Sequence, residues 1–466
     1  MFLKTLALHR FRLISPFLVA LLFGGAPVAA QTMPAAMPED IMPPLKSVLE
    51  NAVKQSPTTL ARSLSVAQAR ADYIVDRAGM LPTVSGNGSY TFRETAISTN
   101  TDSKSSNDGF FYSFSALQPV FYWGALKNQA EIGKLNIKLA EGQYAEAYRM
   151  LALNIRSQYL GLIEKKMLVR NQRFSLRVAE SNLALQEARL RDGRISAGEI
   201  VAPRLSVDEA RIYAERAESN YESARQALAA AAGLSSISDE DIPDDIPRPA
   251  FARETLTAYF EGMKGFDPSQ TFQGTNYKLL IEQSQRRYDI AKVRLLPKFY
   301  ISGGFSQDNI TSVIAGVPIQ TAVTNINYGL TANWMLFDGL ATRGAKLSAL
   351  AAKRLAERNL ETYKESIGEQ VRLLERQIGF SGRLMDLTET RKELALAAVK
   401  KVGDDVRSGV TSQNMLDAVT TTANKAELEA LTARAEFLSR WSEYVSLLGV
   451  DPILENVSPR HLRNGK

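Results

Sequence analysis

The chain has 466 residues, 23% charged and 45% hydrophobic, with 29 glycines and 18 prolines, which excludes collagen-like, low-complexity and broadly disordered polymers. It has no cysteine and two histidines, His9 and His461, near opposite ends, so disulfide scaffolds, thiolate metal sites and Ser-His-Asp chemistry have almost nothing to be built from; no enzyme, cofactor or metal is expected. Of the formal net charge of +6, Lys4, Arg10 and Arg12 supply three, and no basic stripe interleaved with aromatics follows, so nucleic acid is not an expected partner.

Residues 1–30 join those three cations to the apolar run LISPFLVALLFGG and end in Val28-Ala29-Ala30. That is the three-part pattern of a secretory signal peptide, with cleavage expected after Ala30. The run is interrupted by Ser15-Pro16 and Gly24-Gly25 and is short for crossing about 30 Å of hydrocarbon. Gln31 rather than cysteine comes next, so a lipid anchor has no attachment point there. Residues 31–44 read as a flexible N-terminal segment. No later stretch reaches the ~18 consecutive apolar residues of a transmembrane helix, although a secreted chain can still cross an outer membrane by strands.

From residue 45 the sequence repeats. LPTVSGNGSY, starting at Leu81, recurs in character as LPKFYISGGF, starting at Leu296, an offset of 215. The same offset carries Gly88 onto Gly303, Phe121-Tyr122 onto Leu336-Phe337, Gly124 onto Gly339 and Tyr148 onto Tyr363. One inserted residue later, Gly193 meets Gly409, Ser196 meets Ser412 and Gly233 meets Gly449. Glycine is too sparse for four matches in one register to be accidental. The first repeat is placed at 45–234 and the second at 260–450. Residues 235–259, acidic and proline-containing, read as a connector, and 451–466 as a C-terminal tail.

Each repeat runs in the same order. A short helix (about 58–80, then 275–295) leads to two strands, expected at about 81–97 and 108–123, then at 296–308 and 323–337. A long helix follows (about 125–191, then 340–405), turns at a glycine and returns (198–232, then 412–449). Leu360, Tyr363, Ile367, Val371, Leu374 and Ile378 step by threes and fours, a helical stripe. At 1.5 Å per residue such a helix is roughly 100 Å long. The two shorter helices together nearly match it, so they are expected to stack end to end against it with coiled-coil packing.

In the strands, Ile326, Tyr328, Leu330, Ala332 and Trp334 alternate with polar or small residues, and Phe110, Tyr112, Phe114 and Ala116 give a second apolar face. Phe110, Tyr112, Phe114, Ile326, Tyr328, Leu330 and Trp334 are therefore lipid-facing candidates, since apolar-out alternation is what a membrane barrel uses. A half-buried soluble sheet alternates in the same way. Ser98–Gly109 and Gln307–Ala322 read as exposed loops joining the strands. Four strands cannot close a barrel, and lipid does not tolerate an open edge, so self-assembly is expected.

With this order of elements the chain resembles the TolC family of outer-membrane efflux proteins. The resemblance is most specific in GVTSQNMLDAVTTTANKAELEALTARAEFLSRWSEYVSLLG, Gly409 to Gly449, and in its counterpart RDGRISAGEIVAPRLSVDEA, Arg191 to Ala210. Leu45 to Met80, including Ser56-Pro57, is similar to the family's opening helices. The resemblance implies a mainly α fold of duplicated helical hairpins, with four strands per protomer closing as a trimeric 12-stranded barrel. It implies a passive duct in the outer membrane of a Gram-negative bacterium, reaching into the periplasm. Its partners would be outer-membrane lipid, a periplasmic adaptor (membrane fusion protein) and an inner-membrane pump of the RND or ABC type, in multidrug efflux or type I secretion. The alternative is a poreless periplasmic coiled-coil scaffold or adaptor.

The resemblance also places Gly193, Ser196, Gly409 and Ser412 at adaptor-contacting tips and makes Glu199, Asn414 and Asp417 candidates for the periplasmic gate. Of the family's Asp-x-x-Asp pair only Asp417 keeps its charge, Asn414 standing in the other place. The aromatic and arginine expected around the second tip glycine are absent; Val406 and Val410-Thr411 stand there, with Asp404 and Asp405 as possible substitutes. A threefold ring of Asp417 would favour cations at the mouth. Glu199 has an ordinary role open to it as well, stabilising a helix start.

Overall fold

The computed structural model of the protein describes residues 35–97, 103–314 and 317–453. The expected signal peptide, both histidines and the tail beyond 453 lie outside these residues. Three helices open the described chain: α1 (Pro38–Ile41), α2 (Pro43–Gln55) and α3 (Pro57–Ala78). Each begins with proline, which fits the first turn because the missing N–H has no intrahelical partner there. Strands β1 (Thr83–Ile97) and β2 (Ser103–Phe121) follow, then α4 (Ala125–Arg191) and α5 (Val201–Ala232). After a 3₁₀ turn at Asp239–Asp241 and the short α6 (Arg253–Gly262), the order recurs as α7 (Phe272–Lys292), β3 (Lys298–Ile314), β4 (Val317–Asn333), α8 (Ala341–Arg407) and α9 (Gln413–Leu447).

The duplication is visible in the backbone. The glycines with positive φ fall into three pairs related by the sequence offset: Gly124 and Gly339 open the long helices, Gly193 and Gly409 end them, and Gly233 and Gly449 end the returning helices. At all four helix ends the chain closes with the same bond pattern, such as Arg194 N–H to Arg189 O at 2.8 Å and Val410 N–H to Asp405 O at 2.8 Å. This is the Schellman turn, whose left-handed residue favours glycine.

Helices α4 and α8 have 67 residues each, about 100 Å at 1.5 Å per residue. In the half nearer the sheet α4 packs on α3 and α8 on α7; in the farther half they pack on α5 and α9. Contacts of α4 with α7 and α9 join the repeats into one layer. The apolar core is concentrated near the midpoints of the long helices. One cluster gathers Leu45, Leu49, Ile155, Tyr159, Ile163 and Leu228, and a second gathers Leu374, Ile378, Met385, Phe437, Trp441 and Tyr444.

Several boundaries differ from the sequence expectation. The flexible segment expected at 31–44 is packed where it is described: Ala35, Met37 and Met42 are buried, and the Trp441 indole N–H donates to Ala35 O at 3.1 Å. The connector is not a bare linker either, since Ile237, Ile242 and Ile246 bury in the first cluster and α6 runs past its expected end at 259. Parts of both expected strand loops are strand. β2 begins at Ser103, β3 continues to Ile314 and β4 starts at Val317, because ladder hydrogen bonding to neighbours satisfies the backbone whatever the polarity of the side chains.

The four strands form one antiparallel sheet in the order β1-β2-β3-β4. The β2–β3 pairing, Phe114 opposite Phe305, joins the two repeats. β1 and β4 each have one neighbour, leaving two open edges.

Candidate functional site

The sheet lies at one end of the long helices and the glycine turns at the other, and chemistry-bearing candidates occupy both. In an antiparallel pair, directly opposed residues share a face. The register sets Phe114, Phe305 and Ile326 in one row, with Gly303 and Tyr328, and Ile301 and Leu330, in the rows beside it. Tyr90 and Phe110 oppose each other on the same face. Phe110, Tyr112, Phe114, Ile326, Tyr328 and Leu330 therefore all share one face, and Tyr328 is 89% exposed. Rows rich in apolar and aromatic residues run from Phe299 to the level of Phe110, with Gln118, Gln307, Thr324 and Asn309 among them, and the β2–β4 positions are polar at Asp108, Thr311 and Gln320. That is close to the 9–11 residues a tilted strand needs to cross a bilayer. The opposite face carries Ser85, Asn87, Ser113, Ser115, Ser306, Asn325 and Asn327.

Trp334 is the exception among these candidates. It lies one residue beyond β4 and its indole N–H donates to Leu295 O at 3.1 Å. Trp123 likewise donates to Pro297 O at 2.8 Å and packs edge-on against Phe121 at 4.8 Å. Aromatics thus gather where strands meet helices, the position of an interfacial girdle.

At the first tip, Glu199 is tied to its own turn. Its Oε1 accepts from Ser196 N–H at 3.0 Å and Ser196 Oγ at 2.8 Å. The Ser196 backbone bond first, and its hydroxyl second, hold the Glu199 carboxyl below the usual carboxylate range. The geometry is that of a helix-start brace. Two predicted residues, Ser196 and Glu199, are thereby brought into contact with each other.

At the second tip, Ser412 takes the N-cap position with extended backbone, and α9 begins at Gln413. Asp417 stands one turn in and accepts from Gln413 Nε2 at 2.9 Å; Asn414 is exposed. Among the described residues no ion pair involves Asp417 and no bond joins it to Glu199. Of the two suggested substitutes, Asp404 pairs with Arg407, while the Asp405 carbonyl accepts from Val410 and Thr411 in the turn. Val410 is 76% exposed.

Two buried arginines were not singled out by the sequence reading. Arg156, at the middle of α4, bonds Glu39 near the N-terminus and Asp451 near the C-terminus, the latter at 2.5 and 2.9 Å. Burial opposes its charge, but the bonds to Asp451 and Glu39 outweigh that and raise its pKa. Arg434 of α9 bonds Glu389 of α8, Asp245 and the Ile246 carbonyl of the connector. An arginine inside an apolar helical stripe, as in Ala433-Arg434-Ala435 beside Phe437-Leu438, was the available signal.

Long hairpins capped by a small antiparallel sheet are a fold this chain shares with solved outer-membrane channels. Residues 48–234, within the first repeat, match the family model described as "Outer membrane efflux protein". No curated protein matches the sequence. Solved structures share the fold over most of both chains. The Campylobacter jejuni CmeC outer membrane channel has 14% identity, covering 92% of this chain and 91% of that one, with a TM-score of 0.68. A membrane protein from Pseudomonas aeruginosa has 16% identity, coverage of 90% and 98%, and a TM-score of 0.65. The outer membrane protein VceC from Vibrio cholerae has 15% identity, coverage of 89% and 99%, and a TM-score of 0.64.

Proposed function

We propose that three copies of this chain form one duct, each contributing its four strands to a 12-stranded barrel in the outer membrane and its hairpins to a tunnel across the periplasm. The observation that carries this reading is the sheet with two open edges and one apolar face, continuous with helices of about 100 Å. An open edge in lipid leaves backbone groups unsatisfied, and ring closure with further copies removes it. The duct is a passive exit for a tripartite efflux pump or a type I secretion system, with no bond made or broken in the cargo. A periplasmic adaptor and an inner-membrane pump would dock at the tips around Gly193, Ser196, Gly409 and Ser412 and open the mouth. Asp417 is the gate residue best placed for this role, because no cation among the described residues pairs with it; Glu199 braces its own turn. Fractionation, gel mobility of unheated and heated samples, and planar-bilayer recording test the reading together. Outer-membrane recovery, a heat-labile trimer and single-channel conductance are expected. A soluble, non-conducting protein would favour the scaffold alternative and end the duct reading.

A further inference from the structure

Just below the sheet, α8 separates two clefts of opposite character. On one side Leu295, Phe337, Leu340, Leu347 and Leu350 line a mainly apolar cleft together with Asp338, Arg343 and Lys346. On the other side a cleft of about 570 Å³ lies between α4, α7 and α8. Its α8 wall is Ala345, Ser348, Ala349 and Ala352, about half a helical turn around from the first set.

The second cleft opens on the polar side of the sheet. Phe299 opposes Ala332 in an apolar row, so the flanking residues Lys298 and Tyr300 project from the polar face. Lys298 lines this cleft together with Arg287, Arg294 and Tyr122, and its ammonium lies 5.7 Å from the Tyr122 ring centre. Three cations line the cleft and no carboxylate does. Asp338 lies 3.9 Å from Arg294 Nε and offsets part of its charge, while it also accepts from the Thr342 backbone and hydroxyl at 2.9 and 2.6 Å. Asp76 accepts from Gln129 of the lining at 2.8 Å, and among the described residues no ion pair involves Arg287 or Lys298. The cations are not a requirement of the repeat. At the sequence offset of 215 their counterparts in the first copy are Asp72, Gly79 and Thr83.

From this geometry we infer that the cleft is an anion-binding station on the wall of the duct, at the level where tunnel passes into barrel, for cargo or solutes carrying several phosphate, sulfate or carboxylate groups. The inference rests on the duct reading, which makes the polar face luminal. Guanidinium forks match such groups two bonds at a time, and the small alanine wall leaves room for them. In a closed ring each protomer repeats the cluster around the axis, and a confined set of like charges raises the local concentration of the opposite ion.

The test uses the purified full-length assembly in planar bilayers, with inorganic tripolyphosphate as the probe. The triple variant Arg287→Gln, Arg294→Gln, Lys298→Gln is compared with wild type and with the charge-keeping variant Arg287→Lys, Arg294→Lys, Lys298→Arg. The half-blocking tripolyphosphate concentration should rise about tenfold or more in the neutral variant. Its reversal potential in a KCl gradient should move towards cation selectivity, while the charge-keeping variant stays near wild type. If the neutral variant does not assemble, Arg287→Gln alone is read, with a smaller rise in the same direction expected. A conducting neutral variant, triple or single, with wild-type block and reversal potential overturns the station and leaves the duct standing. A wild-type assembly that does not conduct overturns the duct reading and the station with it.

Discussion

Arg156 is 1% exposed, and it holds Glu39 and Asp451 from the two ends of the described chain against the middle of α4. Removing one partner of a buried ion cluster leaves the others desolvated without compensation, at a cost of about 3–5 kcal/mol. Arg156→Ala should therefore lower the unfolding free energy by that order, seen as a lower denaturant midpoint, and free residues around Glu39 and Asp451 to protease, read by unfolding curves and limited proteolysis. Asp417 presents the opposite case, a partly exposed carboxylate whose one side-chain partner among the described residues is the Gln413 amide. In the proposed assembly its charge would be available to the mouth. Asp417→Ala should weaken divalent-cation block of the channel about fivefold to tenfold, measured in bilayers; wild-type block would return Asp417 to an ordinary place on its helix.

At the scale of elements, each hairpin depends on glycine in a left-handed turn, but equivalent turns differ in their surroundings. Gly233 and Gly449 have φ of +72° and +75°. A Cβ on Gly233 would come within 2.4 Å of the Gln55 carbonyl oxygen and 3.0 Å of the Ser56 nitrogen, whereas one on Gly449 would meet nothing within 4 Å. Gly449→Ala should cost only the backbone strain, about 1–2 kcal/mol. Gly233→Ala must also displace the α2–α3 junction and should be clearly the more destabilising of the two. Thermal unfolding of the two variants side by side checks the order. The tips at Gly193 and Gly409 also have positive φ and open space around them, so alanine there should cost a backbone strain like that at Gly449.

For the whole molecule, the lateral edges are its unfinished surfaces. Leu64, Ile74 and Val75 of α3 and Leu347 and Leu355 of α8 are between 59% and 72% exposed, and they lie on the same flanks as the open strands β1 and β4. If a second copy covers them, Ile74→Asp buries an unpaired carboxylate costing several kcal/mol. The heat-labile trimer band should then be lost while the protomer keeps its helical circular dichroism. An unchanged trimer would place the interface elsewhere.

Much of this architecture was legible beforehand because it is local. Helix stripes, paired glycines and strand alternation depend on residues a few positions apart, and duplication doubled each signal. The polar stretch after Ser103 was misread as loop because its strand state comes from pairing with β1 and β3. The segment around Ala35 and Met37 looked flexible because the Trp441 pocket that holds it is built some 400 residues away. The contact between Glu199 and Ser196 depends on how the turn folds, which the sequence left open. Sequence by itself determined the repeat, the long hairpins and, with no cysteine, the lack of any thiol chemistry, since composition and period fix these directly. Tertiary structure decided which side chains share a sheet face, where Arg156 and Arg434 are buried, and that Arg287, Arg294 and Lys298 line one cleft. Those outcomes depend on strand register and helix packing, which bring distant residues together in ways that no local period encodes.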